Sequence, residues 1–490
     1  MRHSFLLLII AHLCIVPTIA QFTDSLHIVI GTTGTIASED YQPLWLKANR
    51  FGAITNQKAD LSTHILITNN HILSKATGTG NGDTSKRNLP GYIAYGVDLY
   101  NNNHFENTFL QEAYIKAGIK NWELRGGRYK EIVGEVDPFL SSGSLAISGN
   151  AMPIPKISIA STRYIDVPYT KGWLQFKARF GHGWLGKTNY VKGSFLHEKS
   201  FYLKIGKQKF NAYAGLNHFA QWGGTHPSGK APSRFKDYLY IIAGGKGNAA
   251  DPVYQQGPID IANAVGNHLI IPDIGFSLKA NTSIFKLYTQ TIFEKGKGRS
   301  ANERDRLVGL KVLSRDRLVG FSWENGKNNW LRKVVLEGLF TKYQGGPVLY
   351  VGQDNYYNNA TYRTGWVYQD KIIGTPLFIT RNDALKFHSK IDTSGVSNYN
   401  ITSNRVNGVH LGFSGYVANN LTYRMLTTYI QHYGNYNNNI FDPKKKQLHF
   451  LLEGSYQVSK AVNLTAAVGL DNGDLSNNTG GSLKIEWQLR

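Results

Sequence analysis

Residues 174–180 read Leu-Gln-Phe-Lys-Ala-Arg-Phe. Leu174, Phe176, Ala178 and Phe180 alternate with Gln175, Lys177 and Arg179, a period of two that puts apolar and polar side chains on opposite faces of a β-strand. A short way on, Phe201, Leu203 and Ile205 alternate with Tyr202 and Lys204. The pattern recurs outward from there. Phe285, Leu287 and Phe293 oppose Lys286, Gln290 and Glu294, and Leu448, Phe450, Leu452, Tyr456 and Val458 oppose His449, Glu453 and Gln457. From about residue 60 to the end the chain is a series of such segments, each roughly ten residues long and separated by Gly, Asn, Asp, Lys and Ser.

A soluble sandwich or propeller alternates in the same way, so other features must separate it from a transmembrane barrel. The segments number about 18 or 19, and bacterial barrels take even strand numbers. Aromatic residues make up 12% of the chain. Trp173, Trp323, Trp330 and Trp487 lie near strand ends, as interfacial girdles require. Leu483, Ile485, Trp487 and Leu489 alternate with Lys484, Glu486 and Gln488 in a closing strand, although the chain finishes on Arg490 where outer-membrane barrels usually finish on an aromatic residue. Mean hydropathy is −0.30 despite these apolar faces, as expected if the opposite faces line a wet interior. The fold class expected is all-β: an antiparallel transmembrane barrel of about 18 strands with a short N-terminal helical element.

Arg2, the apolar run Phe5 to Val16 and the small residues at Thr18-Ile19-Ala20 have the form of a secretory leader. Residues 1–20 are therefore expected to be a signal peptide cleaved near Ala20, delivering the chain to the outer membrane of a Gram-negative bacterium. The single cysteine, Cys14, falls within it. The exported chain then has no disulfide, thiolate metal site or cysteine nucleophile. No later stretch reaches the ~18 apolar residues of a spanning helix. Residues 21–58 do not follow the strand pattern and are read as an N-terminal periplasmic segment. In it Ser38 caps a short helix with Tyr41, Leu44, Trp45 and Ala48 on one face. Residues 59–490 are the barrel, including a long surface loop at 345–402. Arg-Asp-Arg-Leu-Val-Gly occurs at 304–309 and 315–320, and two similar adjacent strands account for it.

The net charge of +21 and pI near 9.6 admit nucleic acid, anionic lipid or an acidic polymer as partner. Export excludes nucleic acid. The charge is spread along strands, and the one concentrated run, Lys444 to Lys446, reads as a solvated turn. Alternation places Lys177, Arg179, Lys204, Lys286 and Arg424 on the polar, lumen-lining side. There they either form ion pairs within the interior or attract an acidic polysaccharide. In the loop, Tyr350, Tyr356, Tyr357, Tyr362, Trp366 and Tyr368 are interleaved with Asp354, Asn355, Asn358 and Arg363. Flat rings that stack on pyranose C–H faces, beside amides and carboxylates that bond hydroxyls, suit sugar recognition. Asp354, Asn355, Tyr356, Tyr357, Tyr362 and Trp366 are thus the candidate polysaccharide contacts. The alternative is a loop that uses its aromatics as its own small core.

No catalytic residue, metal site or cofactor is expected. His182, or His218 with Trp222, is placed to act as a base, but a lone histidine near a strand end is usually structural. There is no Gly-x-Ser-x-Gly elbow. The glycines of Gly78-Thr-Gly-Asn-Gly-Asp83 lack the Lys-Ser/Thr of a phosphate loop, and the 15 histidines show no zinc spacing.

Longer strings add a resemblance. Pro43 to Gly52 (PLWLKANRFG), Ser141 to Pro155 (SSGSLAISGNAMPIP), Gly215 to Gly224 (GLNHFAQWGG) and Asp354 to Leu377, with its DNYYNN, Gly365-Trp366 and Ile373-Gly-Thr-Pro-Leu377, occur in the order seen in the capsule assembly (Wzi) outer-membrane family. The chain resembles that family over about 43–377. The resemblance implies an 18-stranded barrel with a small helical element toward the periplasm. It also implies a lectin-like anchor that holds capsular or extracellular polysaccharide at the surface. Outer-membrane lipid and the barrel assembly machinery are the other partners expected of such a chain. A porin or uptake channel for small solutes, anionic ones included, is the competing reading.

Overall fold

On the strand carrying Phe201, that side chain is 50% exposed and its neighbour Tyr202 is 2% exposed. The same division repeats around a closed sheet in the computed structural model, which describes residues 25–73, 91–245, 247, 251–255, 264–294, 314–344, 354–387, 400–436 and 441–489. The expected leader (1–20), most of the Gly-rich connection 78–91, the first Arg-Asp-Arg-Leu-Val-Gly copy, Tyr350 and Arg490 lie outside the described residues.

The wall strands are β1 (His27–Ala37), β2 (Ala59–Ile72), β3 (Tyr92–Asn102), β4 (Asn107–Ile119), β5 (Trp122–Arg128), β6 (Lys156–Ser161), β7 (Leu174–Trp184), β8 (Phe195–Gly206), β9 (Phe210–Trp222) and β10 (Asn267–Ala280). They continue with β11 (Ser283–Thr291), β12 (Arg317–Asn325), β13 (Lys333–Phe340), β14 (Val406–Ala418), β15 (Leu421–His432), β16 (Lys445–Gln457), β17 (Val462–Gly473) and β18 (Asn478–Gln488). Two-residue segments, Ile165–Asp166 and Phe293–Glu294, extend the pairing beside β7 and β10. Each strand pairs antiparallel with its sequence neighbours, and β1 closes the circle on β18 with Val29 opposite Gln488 and Ala37 opposite Gly480. The result is an 18-stranded antiparallel barrel.

An even strand number puts both described chain ends at one end of the barrel, the turn end, where the connections 120–121, 207–209, 281–282 and 419–420 are short. The opposite loop end carries the longer segments 38–58, 129–155, 223–266 and 341–405. Outward positions form an apolar belt, with Ile65, Ile115, Ile159, Leu203, Leu278, Leu336, Val409, Leu452, Val468 and Ile485 among its exposed members. Trp173, Trp330 and Trp487 stand exposed near the turn end, consistent with one girdle. Trp323, beside them in sequence position on β12, instead donates from Nε1 to Ser283 Oγ at 3.2 Å.

Two expectations are corrected. Residues 21–58 do not lie outside the barrel, because β1 occupies 27–37 and supplies the closing seam. Its outward row, Ile28, Ile30, Thr32, Gly34 and Ile36, mixes polar and small residues, and inward Val29 is apolar, so the alternation is hidden. The short helix is α1 (Leu44–Lys47), with Pro43 rather than Ser38 at its N-cap. Ser38 Oγ donates to Asn478 Oδ1 at 3.1 Å instead, and α1 sits at the loop end, opposite the chain ends.

Three further helices are α2 (Phe235–Ala243), α3 (Pro252–Gln255) and α4 (Arg381–Phe387). The chain enters α2 where the Asp237 carboxylate accepts from the Arg234 backbone N–H at 2.8 Å, and leaves it at Gly244 in the left-handed region (φ 62°). Its Ile241 packs on Ala220 and Trp222, which share a β9 face with exposed Phe210, so α2 lies against the outside of the wall. His182, His197, His218 and His268 stand on that same outer face beneath and beside it. His218 Nε2 and His268 Nδ1 are 2.8 Å apart, and His197 Nδ1 is 3.2 Å from Tyr238 Oη. These rings, with Trp222 stacked on Tyr238 at 5.0 Å, form a structural seam rather than a cleft.

Inside, tyrosines lie flat across wall glycines. Tyr202 crosses Gly215, where a Cβ would meet its ring at 2.2 Å, and Tyr288 crosses Gly320 in the same way at 2.1 Å. A glycine there lets a ring pack against the backbone without displacing the strand.

The belt carries a direct test. Phe201→Arg or Val468→Arg, each near mid-strand, is expected to lower stability by about 2–4 kcal/mol in urea unfolding from phospholipid vesicles. A soluble fold would give near-zero values at such exposed positions.

Candidate binding site at the loop end

The segment 129–155, which carries the Ser-Ser-Gly-Ser motif, enters the lumen as a strap and brings acids to the wall's bases. Lys177 and Lys286 both pair with Glu135, the latter at 3.6 Å. Arg179 and Lys156 both contact Glu131 and both reach Glu198 Oε2, at 3.1 and 3.0 Å. Arg424 pairs with Glu453 at 2.8 Å and donates to the Phe139 carbonyl at 3.0 Å. The Lys204 ammonium lies 4.0 Å from the Tyr164 ring centroid. All five bases read as lumen-facing are on that face, and four are ion-paired, so little unmatched charge remains there to select a diffusing anion.

Wall acids hold the strap in return. Glu337 Oε1 accepts from Ser141 Oγ at 2.7 Å, and Oε2 accepts from the Ser142 backbone and hydroxyl at 2.7 and 2.6 Å. Asp273 accepts from the Glu135 backbone N–H at 2.8 Å and from Tyr202 and Tyr213 at 3.1 Å each. Above this polar layer the strap, α1 and residues 354–380 share one apolar core with inward wall residues such as Leu196, Phe219, Leu318 and Leu451. Among the described residues this core occupies the lumen toward the loop end.

The loop aromatics belong to that core, which corrects the glycan contacts expected from sequence. Tyr356 and Tyr357 are fully buried, and Tyr362 and Trp366 nearly so. Tyr356 Oη donates to Asp316 Oδ2 (2.8 Å), Tyr357 Oη to the Leu145 carbonyl (2.6 Å), Tyr362 Oη to the Gly223 carbonyl (3.2 Å) and Trp366 Nε1 to the Ala146 carbonyl (2.9 Å). Asn355 Oδ1 accepts from Asn358 and Asn404, and Asp354 is buried with its backbone N–H on the Gln344 carbonyl. Rings packed on both faces with their polar tips satisfied have no face to offer a sugar. The rings are packed as the loop's second reading expects, but in a core shared with the strap and the wall rather than one of the loop's own.

What this core holds in place is the hairpin that follows. Val367–Tyr368 pairs with Lys371–Ile372 across a two-residue turn, with Gln369 and Asp370 both at positive φ (46° and 60°). Ile372 and Ile373 are buried, so Lys371 emerges from an anchored strand. It lines a cavity of about 600 Å³ at the loop end, bounded by α1, the β3–β4 turn, the hairpin and α4. Half-buried Phe109 and Phe387 supply rings, and Asn107 and Asn382 supply exposed amides. Lys47 donates to Asn56 Oδ1 at 2.8 Å and lies 3.6 Å from Asp383 Oδ1. Asp383 also accepts from Thr380 Oγ1 at 2.9 Å while its N–H returns a bond to that hydroxyl at 3.1 Å, a reciprocal cap on α4.

A second cavity of about 630 Å³ opens at the turn end, lined by Tyr416, Ser455 and Glu486 among others, and no residue lines both. The loop-end residues were not singled out in the sequence. Lys47 lies inside the Pro43 to Gly52 motif and Lys371 between the Trp366 and Ile373 motifs, which is the one local signal that marked them.

Removing the core anchor has a calculable effect. Trp366→Ala deletes a fully packed ring and leaves the Ala146 carbonyl without its donor, an expected loss of about 3–5 kcal/mol in urea unfolding of the detergent-solubilised barrel. A solvent-facing stacking residue would lose well under ~1 kcal/mol.

Comparison with known proteins agrees with this architecture. The solved Escherichia coli structure described as Wzi, an outer-membrane protein involved in group 1 capsule assembly and a carbohydrate-binding β-barrel, aligns over 93% of this chain and 83% of its own, at 14% identity and a TM-score of 0.56. Two Pseudomonas aeruginosa proteins align more loosely. OccK5 (OpdH) covers 96% of this chain and 99% of its own at 8% identity (TM-score 0.47), and OpdL covers 95% and 98% at 10% (TM-score 0.47). No curated protein matches the chain. The family model described as Capsule assembly protein Wzi matches residues 47–384, which span the strap, the plugging loop, the hairpin and the start of α4, and the chain belongs to that family.

Proposed function

We propose that this chain is exported, loses its leader near Ala20, and is built into the outer membrane with its loop end toward the cell exterior. There it anchors or assembles capsular or extracellular polysaccharide as a lectin-like protein. Short periplasmic turns and longer external loops set that orientation in barrels of this kind. Family membership supports the capsule role, and the related Escherichia coli protein is described as carbohydrate-binding.

The observation that carries the reading is a barrel sealed by its own strap and loop, with a ring-and-amide cavity at the loop end. A channel needs a continuous wet path, and the apolar core of Leu145, Phe219, Tyr357 and Trp366 interrupts it. That same core disfavours the porin reading. The membrane partners of the proposal are outer-membrane lipid along the belt and the barrel assembly machinery during insertion.

The test is a deletion strain combined with conductance of the purified barrel. The deletion is expected to move polysaccharide from the cell-bound fraction to the medium with the total unchanged, and planar bilayers containing the protein are expected to show no stable open steps. Unchanged cell-bound polymer together with steady conductance would mean a solute channel instead.

A further inference from the structure

We propose that the loop-end cavity is a subsite for a carboxylate-bearing sugar residue of the surface polymer, with Lys371 as the partner of the carboxylate and Phe109 and Phe387 as the walls against which pyranose faces lie. The proposal rests on the polysaccharide reading above and adds to it the place and the chemical class of the recognised residue.

Three ammonium groups converge on this space from different elements: Lys47 from α1, Lys371 from the hairpin and Lys386 from α4. Asp383 is the acid nearest Lys47, and it is already engaged by Lys47 and by its cap with Thr380. Lys371 has no carboxylate within ion-pair distance among the described residues. Its strand cannot swing it into open water, because Trp366, Ile372 and Ile373 are locked in the core on either side. A half-buried cation facing two like charges is a costly arrangement on its own, and an arriving anion relieves it. Burial, and next the neighbouring Lys47, push the Lys371 ammonium down to about 8, with Asp383 opposing, Lys386 adding to the depression and Asp370 opposing weakly. His432 of β15 and His449 of β16 face the same cavity from the wall.

The remaining lining suits a sugar rather than a free ion. Phe387 stands edge-on to Tyr41 at 5.2 Å with the Lys47 ammonium 5.9 Å from its ring centroid, and Phe109 stacks on Tyr100 at 5.7 Å, so both rings are held in place where they line the cavity. Rings recognise pyranose C–H faces, while the exposed amides of Asn107 and Asn382 can bond hydroxyls. A volume of about 600 Å³ lies within the range of ligand pockets, roughly 300–1,000 Å³. A free inorganic anion would use the cation alone and make no contact that draws on the rings or amides of the lining.

The experiment uses the full-length barrel in detergent micelles and two probes: a hexasaccharide of alternating glucuronic acid and N-acetylglucosamine, and its carboxyl-reduced counterpart, in which each carboxylate is a hydroxymethyl group. Calorimetry at pH 7 and low salt is expected to show the acidic form bound about tenfold more tightly, as one buried charge-assisted contact allows. K371Q is expected to bring the acidic form down to the affinity of the reduced one and leave the latter unchanged. F387A is expected to weaken both.

The wild-type preference is expected to fade as pH rises through about 8 and Lys371 loses its proton. K371R, which stays charged, is expected to keep its preference to pH 9. The wild-type pH profile reads the same charge without any substitution, so a variant that fails to assemble does not decide the matter. Equal binding of the two probes, no binding of either, or a preference that survives in K371Q overturns the subsite. None of these touches the surface-holding role, which falls on its own if the deletion strain keeps its polymer.

Discussion

Every backbone amide that crosses the bilayer must find its partner within the protein, because hydrocarbon offers none. The seam between β1 and β18 satisfies that demand. Nine consecutive residue pairs, from Val29–Gln488 to Ala37–Gly480, join the two ends of an otherwise linear meander. With the seam formed, no wall strand among the described residues keeps an unpaired edge, and the side-chain alternation along each strand becomes a difference between lipid and lumen. Everything else in the molecule is an answer to what should fill that lumen.

The filling is layered by polarity. Toward the turn end the strap delivers Glu131, Glu135 and Asp137 to wall lysines and arginines, and wall acids such as Glu337 and Asp273 collect the strap's own hydroxyls and N–H groups. Charges held in this way, with hydrogen bonds completing each shell, can tolerate burial that would be prohibitive for a lone ion. Toward the loop end the lining turns apolar, and the loop aromatics interlock with inward-facing Leu196, Phe219 and Leu426. The Ser-rich motif serves the first layer and the Tyr- and Trp-rich motif the second, which gives both strings a structural purpose in this chain.

This division makes the chemistry at the loop end possible. A hairpin carrying a lysine toward a cavity between helices would be floppy if its roots were solvated. Here its roots are Trp366, Ile372 and Ile373 in a packed core, so the position of the ammonium is set by the same burial that packs the loop into the lumen. Packing the loop into the lumen and fixing the hairpin at the loop end are one structural act. On the outer wall, α2 packs over the histidine seam, again through apolar contact of Ile241 with Trp222 and Ala220.

By itself, the sequence determined the barrel: from about residue 60 onward apolar outward faces recur in segments of strand length, even where the inward face also carries an apolar residue such as Leu196 or Leu451, because the bilayer imposes the same rule on each strand independently of its neighbours. It also placed Lys177, Arg179, Lys204, Lys286 and Arg424 on the inner face for the same reason. It did not reveal β1, whose outward row includes Thr32 and Gly34, nor that Tyr356, Tyr357, Tyr362 and Trp366 are covered on all sides. Composition marks a ring as suited to stacking, but whether a sugar or a leucine stacks on it depends on segments far away in the chain, such as those that carry Leu145 and Phe219. The cavity likewise draws Lys47, Phe109, Lys371 and Phe387 from four separate stretches, so only the tertiary structure decided it. Alternation is a local property written into each strand, whereas burial and convergence are set by which distant segments come to share the lumen.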